Sequence, residues 1–232
     1  MFITLMVLAS TLIAGDATYY VGFLRPDPAR KPLPKDQAER IQTAHMANIH
    51  RMADAGQLMA AGPFDDTPHT ISGIFVMKAG SIQEARRIAN EDPTVVEHRN
   101  TMDVHAWHGP SGLGDEYFRL HKADPKTPDG MGLHPLFLMS RGASWDSAAG
   151  RDAILQAHQA YWTDLHSKLG AIGTVDSDDL KGIVIFKRIL FDEGQALIDA
   201  DPAVKASVLK AEGHHWWCAD HVLPGYHDMS RE

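Results

Sequence analysis

The chain has 232 residues, 44% hydrophobic and 22% charged, which is room for one large domain or two small ones. Its net charge of −8 excludes electrostatic capture of nucleic acid or anionic membranes. No apolar run reaches the ~18 residues of a membrane-spanning helix, and the single cysteine, Cys218, excludes an internal disulfide.

The chain opens on an apolar stretch, Phe2 to Ala14, followed by the small residues Gly15-Asp16-Ala17. Length and position fit a signal peptide over residues 1–17 and export to the periplasm or beyond, although no Lys or Arg precedes Arg25. The competing reading is a buried first strand or a misassigned start, which would leave the chain cytoplasmic. Tyr19–Leu24 then predicts a strand, and Pro26, Pro28, Pro32 and Pro34 break the chain. Lys35–Ala55 carries Ile41, Ala44, Ile49 and Met52 at helical spacing, with Gly56 placed as the residue after the cap. Leu58–Ala61 and Ile71–Lys78 predict strands on either side of a turn. Ser81 and Glu84 predict a capping box opening a second helix, and Met102–Trp107 a last strand. Residues 109–132, rich in Gly, Pro and Asp, read as a linker.

Beyond the linker the pattern returns. GIFVMK from Gly73 meets GIVIFK from Gly182 at an offset of 109, and the same offset pairs Asp92-Pro93 with Asp201-Pro202, His105 with His214 and Trp107 with Trp216. Nine of 35 aligned positions are identical across 73–107 and 182–216, against about two from average composition. Upstream, Ala44-His45 aligns with Ala157-His158 at 113 and Arg25 with Arg141 at 116. In the second copy Gly150–Leu169, Ile183–Ile189 and Asp192–Asp199 predict helix, strand and helix. Residues 18–108 and 133–226 are therefore two βαββαβ modules of ferredoxin-like α+β type. Each sheet has helices on one face, and the other copy is the natural cover for the second face. That predicts a monomer with an internal pseudo-dimer, with further association of such chains left open.

His45 and His158 sit on the apolar stripes of equivalent helices, so each points at its sheet or at a pocket above it. Such an imidazole can exchange a proton near neutral pH or serve as a core residue bonded to backbone. Asp92 and Asp201, each before proline, suit helix N-caps and also stand where a carboxylate could pair with those histidines. Arg25 and Arg141 end the first strands, where they could hold a ligand anion or a surface carboxylate. His105, Trp107, His214 and Trp216 close the last strands and could line a pocket, with aromatic core the competing role for the tryptophans. His214-His215-Trp216-Trp217-Cys218-Ala219-Asp220-His221 contains metal-competent groups, but not at a zinc spacing, and no metal site is expected. No phosphate loop, nucleophile elbow or dinucleotide fingerprint occurs.

AHMANIHRMADAGQLMAAGPF (44–64), GIFVMK (73–78), EARRIANEDP (84–93) and the closing His105-x-Trp107, as an ordered set, resemble the YCII-related (YciI-like) family. The second copy matches less fully, since Leu169-Gly170-Ala171-Ile172-Gly173 lacks the proline of Gly62-Pro63. The resemblance implies ferredoxin-like modules packed as a dimeric α/β barrel. It also implies a catalytic pair of helix histidine and Asp-Pro aspartate, which is His45 with Asp92 and, by repeat, His158 with Asp201. Gly62, Pro63 and Phe64 would lie beside that pocket. Its enzymatic precedent is dehydrochlorination of a chlorinated, hydroxylated aromatic ring without a cofactor, and related folds include muconolactone isomerases. The expectation is thus a cofactor-independent lyase or isomerase acting on a small cyclic molecule, with the first copy the working half. A non-catalytic binding protein and a structural module are the competing expectations.

Overall fold

The computed structural model describes residues 16–66 and 70–224. The signal-peptide expectation therefore falls almost wholly outside the described residues. Its last two positions belong to the fold. Asp16 accepts hydrogen bonds from the Ser111 amide (2.6 Å) and hydroxyl (2.9 Å), and Ala17 pairs with Gly109.

In chain order the first copy runs β1 (Ala17–Pro26), α1 (Lys35–Asp54), β2 (Leu58–Pro63), β3 (Gly73–Met77), α2 (Ile82–Asn90), α3 (Pro93–Val96) and β4 (Asn100–Gly109). A helix, α4 (Asp115–Ala123), occupies the segment read as a plain linker. The second copy runs β5 (Met131–Arg141), α5 (Arg151–Asp164), β6 (Leu169–Val175), β7 (Leu180–Phe186), α6 (Phe191–Ala200), α7 (Pro202–Lys205) and β8 (Leu209–Ala219). The predicted helix over Gly150–Leu169 is shorter than expected: it stops at Asp164, a 3₁₀ turn follows, and Leu169 already opens β6. The capping box is also modified. Ser81 Oγ accepts the Glu84 amide (3.2 Å), but the Glu84 carboxylate reaches back to the Gly80 amide (2.8 Å).

Each copy forms a four-stranded antiparallel sheet, and the two join edge to edge in the order β2-β3-β1-β4-β6-β7-β5-β8. One seam is the β4–β6 ladder, where Trp107 pairs with Val175 and His108 with Thr174; the other is a bridge between Phe64 and Trp216 that nearly closes the ring. The result is an eight-stranded, nearly closed α/β barrel. Strand alternation sends Val21, Phe23, Ile74 and Trp107 of one copy inward against Leu136, Leu138, Ile183 and Trp216 of the other. Tyr20, Leu24, Phe75 and Val104 point outward under α1 and α2, as Phe137, Met139 and Val184 do under α5 and α6.

The seams explain two glycines. A Cβ on Gly62 would fall 1.9 Å from the Trp217 carbonyl oxygen, and one on Gly173 would fall 2.1 Å from that of His108. Gly173 holds the place of Gly62 in the second copy, since each pairs with an isoleucine of the repeat, Ile183 and Ile74. The missing proline therefore leaves the strand geometry intact.

Candidate active site

Asp92 is fully buried and takes both of its expected places at once. Oδ1 caps α3 by accepting the Thr94 amide (2.9 Å) and hydroxyl (2.6 Å), while Oδ2 lies 2.7 Å from His45 Nδ1 and accepts Asn48 Nδ2–H at 3.1 Å. Burial alone would raise this carboxyl. The hydrogen bonds from His45 and Thr94 outweigh it and hold Asp92 below the ordinary carboxylate range, so it stays ionised. An ionised Asp92 is an acceptor only, so Nδ1 carries the hydrogen and a neutral His45 keeps Nε2 bare. Phe75 stacks under the ring at 5.8 Å between centroids.

His45 borders a cavity of about 360 Å³ between α1 and the β2–β3 sheet, with Met46, Ile49, Leu58, Ala61 and Phe75 among its apolar walls. Gly62 and Pro63 line it. Phe64 does not: it is buried against His214, with ring centroids 4.3 Å apart.

The second copy repeats the dyad without the room. His158 Nδ1 lies 2.6 Å from Asp201 Oδ2, Asp201 Oδ1 caps α7 through the Ala203 amide (2.8 Å), and Trp162 Nε1–H donates to Oδ2 at 2.8 Å. The equivalent space is only about 10 Å³. The sheet register matches Leu24 with Met139 and Ala61 with Ile172, and the helix register matches Ile49 with Trp162. Each exchange brings a side chain that is larger or longer, and Trp162 is fully buried over the dyad.

Arg25 and His105 are elsewhere. Leu24 and Arg25 are neighbours on a strand, so they face opposite sides of the sheet. Leu24 borders the His45 cavity, whereas Arg25 and His105 line a separate polar cavity of about 360 Å³ at a mouth of the barrel, with Asp103, Ser140, Lys210 and Glu212. They cannot share a ligand with His45 through the sheet, so any ligand role of Arg25 and His105 belongs to this second cavity. Nor are the two arginines equivalent: Arg25 pairs with Thr101 and Ser140 with Lys210, so the register counterpart of Arg25 is Ser140. Arg141 packs over the Trp145 ring at 5.3 Å.

Trp107 and Trp216 are core residues, fully buried at the seams. His214 also serves a seam. Its Nδ1 lies 2.6 Å from Asp66 Oδ2, and Asp66 Oδ1 accepts the His215 amide at 3.0 Å, joining the first copy's β2–β3 loop to β8. Among the described residues no His, Cys, Asp or Glu cluster suits a metal ion, and Cys218 is buried with its thiol pushed up by that burial. Sequence reading missed Asn48, Thr94 and Trp162 as partners of the aspartates. Asn48 and Trp162 follow the two histidines by three and four positions, which was the available signal.

A sequence profile of the YCII-related domain matches residues 18–105. The first copy is a YCII-related domain. The match ends there, and the kinship of the second copy rests on the internal repeat and the shared strand order. No curated protein matches the chain in sequence. Among solved structures, a mutant chlorite dismutase from Candidatus Nitrospira defluvii is similar at TM-score 0.57 and 10% identity, covering 93% of this chain and 98% of that one. Another mutant of the same enzyme gives 0.55 and 12%, covering 92% and 96%. A heme-binding protein from Thermus thermophilus gives 0.50 and 15%, covering 88% and 94%. These likenesses establish the fold: two ferredoxin-like units forming an α/β barrel.

Proposed function

We propose that the YCII-related half is a cofactor-independent lyase or isomerase in which His45 transfers a proton on a small hydroxylated cyclic or aromatic molecule. The observation that carries this reading is the His45–Asp92 dyad, 2.7 Å apart, at the wall of an apolar cavity. Asp92 fixes the tautomer, so the bare Nε2 is the base, and the buried carboxylate stabilises the imidazolium that forms. Asn48 and Thr94 hold Asp92 in place. The second copy keeps the dyad with its cavity filled, which suits a structural role for His158 and Asp201.

The heme-binding neighbour raises the question of whether this cavity suits heme. A histidine whose Nδ1 is held by a carboxylate is a competent axial ligand. However, among the described residues no Lys or Arg lines the cavity to receive two propionates. The residues present do not fit the group, and no step here runs through one.

The test is a thermal-shift screen of hydroxylated aromatics and lactones, with each ligand then followed by NMR in D₂O. Deuterium should enter a carbon beside the oxygen function, and His45→Ala should slow that exchange by about 10²–10⁴-fold. Ligands that bind through His45 without any exchange would replace the enzyme reading with a binding protein on the same site.

A further inference from the structure

We propose that the segment between the copies completes the His45 cavity. The Tyr117–Asp129 pair forms its second polar end, so the ligand is an elongated molecule with a hydroxyl at each end of an apolar body. This builds on the reading of that cavity as a ligand site and adds the shape and polarity of the ligand.

The cavity follows α1 from Gln42 to Ala53, a run of ~16 Å at the helical rise. His45 stands near one end. At the other, Tyr117 and Asp129 join the wall together with Ala219 and Val222 of the second copy. The Asp54 carboxylate at the end of α1 helps raise the Tyr117 phenol, and nine residues of helix, or ~14 Å, separate Asp54 from His45.

Tyr117 is held from three sides. Its hydroxyl donates to Asp129 Oδ1 at 2.7 Å, the His121 ring stacks on it at 4.0 Å, and His121 Nδ1–H donates to the Tyr117 carbonyl at 2.9 Å. His121 Nε2 stands 3.2 Å from the same Asp129 oxygen. Burial, then the Asp129 bond, raises the phenol well above its ordinary range and keeps it neutral. With its proton committed to Asp129, the Tyr117 oxygen offers only lone pairs to the cavity, and Asp129 likewise only accepts. The bare Nε2 of His45 accepts as well. Both ends therefore call for a donor, and between them Met46, Ile49 and Met59, beside the exposed His50, give a mainly apolar wall that calls for an apolar body. Residues 117 and 129 lie beyond residue 105, where the YCII-related match ends, so this end belongs to the two-copy chain and not to the domain.

The probes are 4,4′-dihydroxybiphenyl and 4-hydroxybiphenyl, titrated calorimetrically into the full chain and its Tyr117→Phe and His45→Gln variants. The wild type should bind the diphenol about tenfold tighter, the scale of one net hydrogen bond. Tyr117→Phe should bring the diphenol down to the monophenol while leaving the monophenol unchanged, which also reports an intact cavity. His45→Gln should weaken both. Equal affinity of the two probes for the wild type, a parallel loss of both in Tyr117→Phe, or no binding of either would overturn the proposal. Unchanged affinity of both probes in His45→Gln would also overturn it, whereas probe binding that depends on both His45 and Tyr117, with no deuterium exchange in any ligand of the D₂O screen, would overturn the proton-transfer reading alone.

Discussion

His45 and His158 make the same bond to the same kind of carboxylate, and what differs is the space around them. An imidazole removed from the first copy leaves room that the cavity's water can fill, and Asn48 and Thr94 still satisfy Asp92. Removing His158, which is buried in a site with only about 10 Å³ to spare, leaves a closed void under Trp162 and takes a hydrogen bond from the buried Asp201. His158→Ala should therefore lower stability by roughly 1–3 kcal/mol, and His45→Ala by clearly less. Urea unfolding of both variants measures the difference, and the opposite order would show that His45 is the structural member. Acid should act through Asp92 and Asp66. Burial opposes the ionised form of each, but the bonds from His45 and Thr94, and from the His215 amide with His214 and His215, more than offset it, so both carboxyls titrate lower folded than unfolded. The stability they contribute is complete above the unfolded value near ~4. It is lost as pH falls through their folded values, below 3.8. Melting curves should be level from neutral pH to about 5 and fall below 4, and Asp92→Asn should flatten that fall. An unchanged acid slope in Asp92→Asn would remove Asp92 from this account.

At the scale of elements, the barrel depends on strands that approach too closely for side chains. Gly62→Ala and Gly173→Ala each put a methyl group into the facing carbonyl across a seam. Each should cost at least about 1–3 kcal/mol, the usual range for overpacking. Hydrogen exchange should quicken at β2 and β8 for the first and at β4 and β6 for the second. Exchange that rises evenly over the whole barrel would contradict a local seam. The element that sequence reading passed over, α4, has its own signals: Asp115 and Glu116 in the first turn, His121 and Lys122 in the last. The glycines and prolines around it made the whole segment read as loop. Gly114, at φ 79°, begins the helix instead of interrupting one.

For the whole molecule, the leader remains a proposal that the fold narrows. Because Asp16 bonds Ser111 and Ala17 starts β1, a cut within the barrel would strip both, so processing should fall at or before Gly15. Intact-mass spectrometry of the protein from its native host should return a chain starting near Gly15; a mass that retains Met1–Ala14 would rule processing out. Periodicity and the internal repeat by themselves pointed to the two modules and their βαββαβ order, and they put His45 and Asp92 where they could pair; that they do pair was decided by the tertiary structure. Helical and strand spacing are local rules, and a duplicated pattern carries the same fold twice. Alternation along β1 turns Arg25 away from the face that Leu24 shows to the His45 site, and the strand register matches Arg25 with Ser140 and not with Arg141, a pairing fixed only by the neighbouring strands. Only the tertiary structure decided which dyad has a cavity. That difference lies in the volumes of Met139, Ile172 and Trp162 against Leu24, Ala61 and Ile49, side chains far apart in sequence that meet only once the barrel has closed.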